Sequence, residues 1–334
     1  MLVLGLMGSP RKNGNTNYLL SIFMDEAKSL GAQTKVVVAS EQDIAPCKGC
    51  AYCEKKGVCI IKDKMSTDLF PLFRKADLIV VSTPMFFYNA PSQLKAIIDR
   101  SQTLWSRKYK LKLIDPGRKS RHGFLLSLGA TKGNNLFDGI ILTSKYFFDA
   151  VGTSFDDILA YRRIEKPGDM EKHPTVLKEV KEEVKKLLNP LIKRKKILFA
   201  CKENACRSQM AASFAQYMAG DKLEVLSGGS NPANKINSVM VEVMAEKGID
   251  MAFRIPESID TAIADIKPDY IITMGCGEEC PAVSGAEKVD WDLPDPAGES
   301  IDFIRRIRDN IENKVIELIK NFGVEPVVMY KYSR

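Results

Sequence analysis

Histidine is nearly absent from this chain. Only His122 and His173 occur in 334 residues, each isolated in a predicted surface segment. Neither has a metal-ligand neighbour, so histidine-based metal centres drop out. Long apolar runs are missing too, and nothing approaches the ~18–20 residues that a membrane helix needs. The apolar start, MLVLGLMGSP, lacks the basic flank of a secretory signal and runs straight into a glycine turn. It reads as a first buried strand. Low-complexity blocks, internal repeats and a long linker are also lacking. Aromatic residues amount to 8%, and none interleaves with basic residues to line a groove. A nucleic-acid partner is therefore not expected despite the net charge of +7. The expectation is a cytoplasmic protein with no membrane partner.

What remains is ordinary globular material, 45% hydrophobic and 27% charged, and its length favours two domains. Charge divides unevenly. Residues 1–194 carry 32 Lys and Arg against 20 Asp and Glu, or +12, and the rest carry 17 against 22, or −5. A basic first half suits a solvated surface and attracts an anionic nucleotide. Eight cysteines form two sets, Cys47, Cys50, Cys53 and Cys59, then Cys201, Cys206, Cys276 and Cys280. In a cytosolic chain, such sets point to catalysis or metal binding before structural disulfides.

Strand and helix signals alternate along both halves. LVLGLMG, KVVVAS, DLIVVSTP and HGFLLSLGA predict four strands in the first half, separated by amphipathic helices. A closing helix is predicted from about 174 to 194, with Val176, Val180, Val184, Leu187 and Leu188 at helical spacing. The pattern restarts at KILFAC, with strands at LEVLSGGS and DYIITMGCG and a long last helix at ESIDFIRRIRDNIENKVIELIKNFG. The fold class predicted is α/β, two doubly wound parallel sheets, with domains at 1–194 and 195–334.

In the first half, GSPRKNGNTN (8–17) lies between a strand and a helix. Gly8 permits the turn, while Ser9, Arg11, Asn15, Thr16 and Asn17 offer donors and charge beside free helix amides. This suits a phosphate monoester, and a polar turn with Thr16 as helix cap is the plainer alternative. TPMFFYNAP (83–91) follows the third strand. Pro84, Met85, Phe86, Phe87, Tyr88 and Asn89 fit a wall around a planar ring at a sheet switch point, or else a buried aromatic cluster. With LKAIIDR at 94–100, these stretches make the first ~190 residues resemble the NAD(P)H-dependent FMN reductase branch of the flavodoxin-like superfamily. The resemblance implies FMN, with its phosphate on Ser9, Arg11, Asn15, Thr16 and Asn17 and its ring near Pro84–Asn89 and the 127–133 turn. It implies NAD(P)H as electron donor and a homo-oligomer by analogy. The C-x2-C-x2-C-x5-C run at Cys47, Cys50, Cys53 and Cys59 resembles the compact motif of iron–sulfur flavoproteins, which hold a [4Fe–4S] cluster. A reduced, metal-free thiol loop fits the same spacing.

In the second half, CKENACRSQMA (201–211) places a cysteine five residues before an arginine, between a strand and a helix. The loop amides and Arg207 suit a tetrahedral oxyanion, and such a field favours a thiolate over a thiol. Asn204 and Ser208 are placed to hold the loop and the nucleophile, Cys201. The string resembles the low-molecular-weight tyrosine phosphatase fold, which includes arsenate reductases, and the resemblance extends through WDLPDPAG (291–298). There Asp295 matches the acid that protonates a leaving oxygen. Gln209 stands where phosphatases have proline, and Pro296-Ala297 where they place tyrosines. MGCGEECP adds Cys276 and Cys280, two thiols that hydrolysis does not need. The reductase resemblance implies attack on arsenate by Cys201, arsenite release by Cys276, and an outward Cys276–Cys280 disulfide. That disulfide is then reduced by thioredoxin, glutaredoxin or a small thiol, or by the fused flavin domain. The C-x3-C spacing of the pair is tighter than in the thioredoxin-coupled group. A phosphatase with a redox-sensing flavin domain, and an arsenic-binding module without turnover, are the competing expectations.

Overall fold

The computed structural model describes residues 1–275 and 283–327. They form two compact units. The first comprises 1–112 and 121–192, and the second 193–334 together with the short stretch 113–120. Among the described residues no helix is long and apolar enough to cross a membrane.

The first unit runs β1 (Leu2–Met7), α1 (Asn15–Ser29), β2 (Gln33–Val38), α2 (Tyr52–Lys56), α3 (Phe70–Lys75), β3 (Leu78–Pro84) and α4 (Ser92–Arg100). It continues with α5 (Gln102–Tyr109), β4 (His122–Gly129), α6 (Asp138–Val151), β5 (Asp157–Arg162) and α7 (Val176–Ile192). Its five strands are all parallel, in the order β2-β1-β3-β4-β5. The three central strands are near-continuous apolar runs because helices cover both faces. The stripe on α7 is buried as its spacing predicts, from Val176 to Leu191. Each such Val or Leu contributes about 1.5–3 kcal/mol by leaving water. Helices α4 and α5 are separated at Ser101, which returns its hydroxyl to the Ile97 carbonyl.

The second unit runs β6 (Lys195–Cys201), α8 (Arg207–Ala219), β7 (Leu223–Gly229), α9 (Ser238–Glu246), α10 (Ile259–Ile263), β8 (Tyr270–Met274), β9 (Glu287–Asp290) and α11 (Ile301–Asn321). Its sheet is again parallel, β7-β6-β8-β9. Helix α8 is buried at twelve of its thirteen positions, every one but Gln216. A helix buried on all sides belongs inside a core, and α8 packs with α11 into one cluster around Phe199, Phe214 and Trp291, its buried polar residues Arg207, Ser208 and Gln209 lying at the oxyanion end. The stretch 113–120 adds a parallel bridge, Ile114 to Ile249, held by amides at both ends.

Both sheets have a switch point. The chain steps from β1 to β2 on one side and returns to β3 on the other, and it steps from β6 to β7 and returns to β8 in the same way. Ligands in such sheets bind beyond the strands' carboxyl ends at that point. The two motifs singled out by sequence occupy these places.

Candidate active sites

Beyond β6 the chain makes a tight ring, residues 202–206, before α8 begins at Arg207. The ring is turned by its surroundings. The carbonyls of Cys201, Lys202, Glu203 and Ala205 accept from the amides of Ser230, Asn231, Ala233 and Asn237 at 2.8–3.2 Å. With the oxygens drawn outward, the ring amides face the opposite side, where the first turn of α8 adds its positive end. Asn204 takes φ 50°, a left-handed conformation that asparagine tolerates better than most residues. Gly229 lies directly against the ring. A Cβ there would sit 2.7 Å from the Lys202 oxygen and 2.8 Å from the Asn204 nitrogen.

Cys201 is 3% exposed, at the floor of the ring. Its sulfur lies 3.0 Å from the Ser208 hydroxyl, which accepts from Asn204 Nδ2 at 2.8 Å. Arg207 is buried and aligned by the acid loop, donating to the carbonyls of Leu293 (3.0 Å) and Pro294 (3.4 Å). Its Nη2 stands 3.3 Å from Asp295 Oδ1, and the Asp295 side chain is 63% exposed. A cation, an exposed carboxyl group and a buried sulfur therefore meet at one mouth. Gly275, at φ 72°, leaves room for the guanidinium, which would be 2.8 Å from any Cβ placed there. Cys206 differs from Cys201. Burial, and then the neighbouring Cys201, push its thiol up to about 12, so it stays protonated and does not compete as nucleophile. The structure thus brings together Cys201, Asn204, Arg207, Ser208 and Asp295. Cys276 and Cys280 lie outside the described residues.

At the first switch point, Gly8 closes the turn after β1 with its amide on the Ser82 carbonyl (2.7 Å). A Cβ there would meet Leu94 at 2.6 Å. Helix α1 opens at Gly14 without a side-chain cap, so Thr16 is not the cap. The amides of residues 15–17 head a 15-residue helix, next to Ser9 and Arg11, and fit a phosphate. Asn15 contributes only its amide, because its side chain bridges the Lys166 carbonyl and the Met170 amide. The 84–89 stretch is not a buried cluster. Phe86 and Asn89 exchange both backbone bonds, and between them Phe87 and Tyr88 take φ 50° and 61°. Such a turn ordinarily carries Asn-Gly, and two aromatics there store strain. All three aromatics are exposed, Phe87 fully. Gly139 of α6 supports the turn, since a Cβ would stand 2.4 Å from the Tyr88 oxygen. Asn89 is anchored to Thr143.

The cysteine loop is closed at its base by Arg100, which is 1% exposed. The guanidinium grips both Asp63 oxygens (2.7 and 2.9 Å) and the carbonyls of Ala45 and Ile61. Burial works against the Asp63 carboxylate. The bonds and charge of Arg100 outweigh it and hold the carboxyl below its ordinary range. Cys59 lies beside the same guanidinium, Cys53 accepts from Ser106 (3.4 Å), and Cys47 and Cys50 are exposed. Among the described residues no three Cys, His, Asp or Glu side chains gather as metal ligands. The four thiols as placed do not form a cubane site.

Comparison with known proteins finds a family match in each unit. Residues 1–122 match the family of NADPH-dependent FMN reductases and residues 196–327 that of low molecular weight phosphotyrosine protein phosphatases. A putative arsenate reductase of Halobacterium salinarum is 36% identical over 37% of this chain and 91% of its own length. A glutaredoxin arsenate reductase of Synechocystis is 34% identical over 37% of this chain and 96% of its own. An iron-sulfur flavoprotein of Methanosarcina thermophila is 35% identical over 40% of this chain, which spans 65% of that relative's length. The chain is an oxidoreductase, and through its second unit it belongs to the low molecular weight phosphotyrosine protein phosphatase family, with arsenate reductases among its relatives, joined here to a first unit that matches the FMN reductase family over residues 1–122.

Proposed function

We propose that the chain reduces arsenate to arsenite, with electrons drawn from NAD(P)H by its own flavin domain. The observation that carries this reading is the single mouth at which the Cys201 sulfur, the inward ring, Arg207 and Asp295 meet. The ring amides and Arg207 take up the arsenate oxygens. The Cys201 sulfur attacks arsenic, and one oxygen leaves as water with a proton from Asp295. Cys276 then attacks the Cys201 sulfur. The S–As bond breaks, its electron pair stays on arsenic, and arsenite leaves a Cys201–Cys276 disulfide. Exchange with Cys280 frees Cys201 and leaves Cys276–Cys280, which two electrons and two protons return to the dithiol.

Bound FMN would supply hydride and two-electron chemistry between NAD(P)H and this disulfide. The groups that would hold it are the amides of 15–17 with Ser9, Arg11, Thr16 and Asn17, and the 84–89 turn. Thioredoxin, glutaredoxin or a small thiol is the competing reductant. No step runs through a [4Fe–4S] cluster on Cys47, Cys50, Cys53 and Cys59, and iron and sulfide analysis of protein purified without air tests that expectation. A reducing cytoplasm suits thiol chemistry of this kind, and that location and a homo-oligomer belong to the same reading.

The test is direct. Purified protein given NAD(P)H and arsenate, with no added thiol carrier, produces arsenite, and Cys201→Ser abolishes it. A strict need for a carrier sinks the internal route and leaves the reductase. Rapid hydrolysis of an aryl phosphate, unaffected by Cys276→Ser, would install the phosphatase instead.

A further inference from the structure

Behind Cys201 runs a line of polar side chains that the chemistry above does not use in full. Arg254 donates through Nη1 to Gln209 Oε1 (3.4 Å) and through Nη2 to Gln216 Oε1 (2.9 Å). Gln209 donates from Nε2 to Asn204 Oδ1 (3.0 Å), Asn204 donates from Nδ2 to Ser208 Oγ (2.8 Å), and Ser208 Oγ lies 3.0 Å from Cys201 Sγ. Gln209, Asn204 and Ser208 are all buried, at 2% exposure or less.

The direction of this line is forced. An arginine has five donors and no acceptor, so the oxygen of Gln209 must face it and the amide hydrogens must face Asn204. The Glu257 amide, also only a donor, bonds the same Asn204 oxygen at 3.0 Å and fixes that side chain from the other side. Asn204 therefore donates to Ser208. Having accepted that bond, the serine hydroxyl turns its hydrogen to the sulfur. Reversing Gln209 would set its oxygen against that of Asn204, and reversing Asn204 would set its amide hydrogens against two other N–H donors, leaving buried polar groups unpaired in either case.

We infer that Arg254 and Gln209 are positioning residues for the nucleophile: they set the sense of a one-way hydrogen-bond line that keeps the Ser208 hydroxyl hydrogen on the Cys201 sulfur. Neither touches the oxyanion mouth. Both act through Asn204, whose left-handed backbone shapes the ring while its side chain transmits the polarity. The inference rests on Cys201 as the nucleophile and is independent of which oxyanion it attacks.

The experiment uses the full chain and iodoacetamide at pH 7. Tryptic peptides 197–202 and 203–207 report Cys201 and Cys206 separately. In Arg254→Met and in Gln209→Met, alkylation of Cys201 slows by about 3- to 10-fold while Cys206 is unchanged, the loss expected when a bond to a charged sulfur weakens. Arg254→Lys, which keeps a donor-only cation, restores at least half of the parent rate. With arsenate and an added thiol carrier, kcat falls in the Met variants and KM holds. Parent-like alkylation in both Met variants overturns the inference. So does a Lys variant no better than Met, or a loss shared by KM and thermal stability, because each marks a role in packing alone. Alkylation needs no arsenate turnover, so failure of the arsenate reading leaves this result readable.

Discussion

Replacing Gly229 by alanine alters no group that touches a substrate, yet it strikes the oxyanion ring from behind. The added methyl would lie 2.7 Å from the Lys202 oxygen, 2.8 Å from the Asn204 nitrogen and 2.9 Å from the Glu203 carbonyl carbon. All three are backbone atoms, so no side chain can swing aside. Comfortable carbon contacts begin near ~3.5 Å, and the ring must therefore retreat by about 0.5–1 Å. Overpacking of this kind costs about 1–3 kcal/mol in stability. Misplacement of a catalytic frame by about 1 Å costs up to roughly 100-fold in rate. Gly229→Ala is thus expected to lower the thermal midpoint by a few degrees and to cut kcat/KM for arsenate by about 10- to 100-fold. Flavin binding in the first unit should be untouched. The assay is arsenite formation with an added reductant, beside a thermal melt followed by circular dichroism. A variant with full turnover and a parent-like melt would refute the claim that the ring is set by its contact with Gly229.

Two further outcomes follow from the first unit. Arg100→Met leaves the Asp63 carboxylate without its partner and frees two loop carbonyls, and breaking a buried pair costs about 3–5 kcal/mol in urea unfolding. Because Asp63 is held below its ordinary value, its contribution is complete above the unfolded value of about 3.9 and is lost as pH falls through the folded value. The gap between parent and variant should accordingly stay constant from about pH 6 to 8 and narrow as pH falls through the lowered Asp63 value. Gly139→Ala drives a methyl into the Tyr88 carbonyl, so purified variant protein should carry less than half the flavin of the parent by absorbance, and an unchanged flavin content would show that the 84–89 turn does not support the ring.

Much of this was legible in the residues because parallel sheets covered on both faces write themselves as apolar runs, as in β1, β3 and β4. What escaped was one edge strand of each sheet. β5 pairs only with β4 and is mostly half-exposed, and β9 is four residues, EKVD, with three of them exposed. Nothing in their hydrophobic pattern separates them from loops. The ring was readable from Cys201 and Arg207 at their spacing, as was Asp295 from its DPAG context. Arg254 was not, since its link to Gln209 spans 45 positions and exists only through the fold. Gly229 escaped for the same reason. The aromatics at 86–88 were legible as a cluster but not as an exposed one, because their exposure depends on two left-handed residues that no periodicity reveals.

The stretch from Ser230 to Asn237 contributes no chemistry of its own, yet four of its amides grip the outside of the ring. It behaves like the hoop around a barrel, with staves that point inward only while the hoop is tight. The ring's diameter, and hence the size of oxyanion that it admits, is then adjustable from a segment outside the catalytic motif. Phosphate and arsenate differ chiefly in bond length, so variation in this outer segment is a route by which discrimination between them changes while Cys201, Arg207 and Asp295 stay the same.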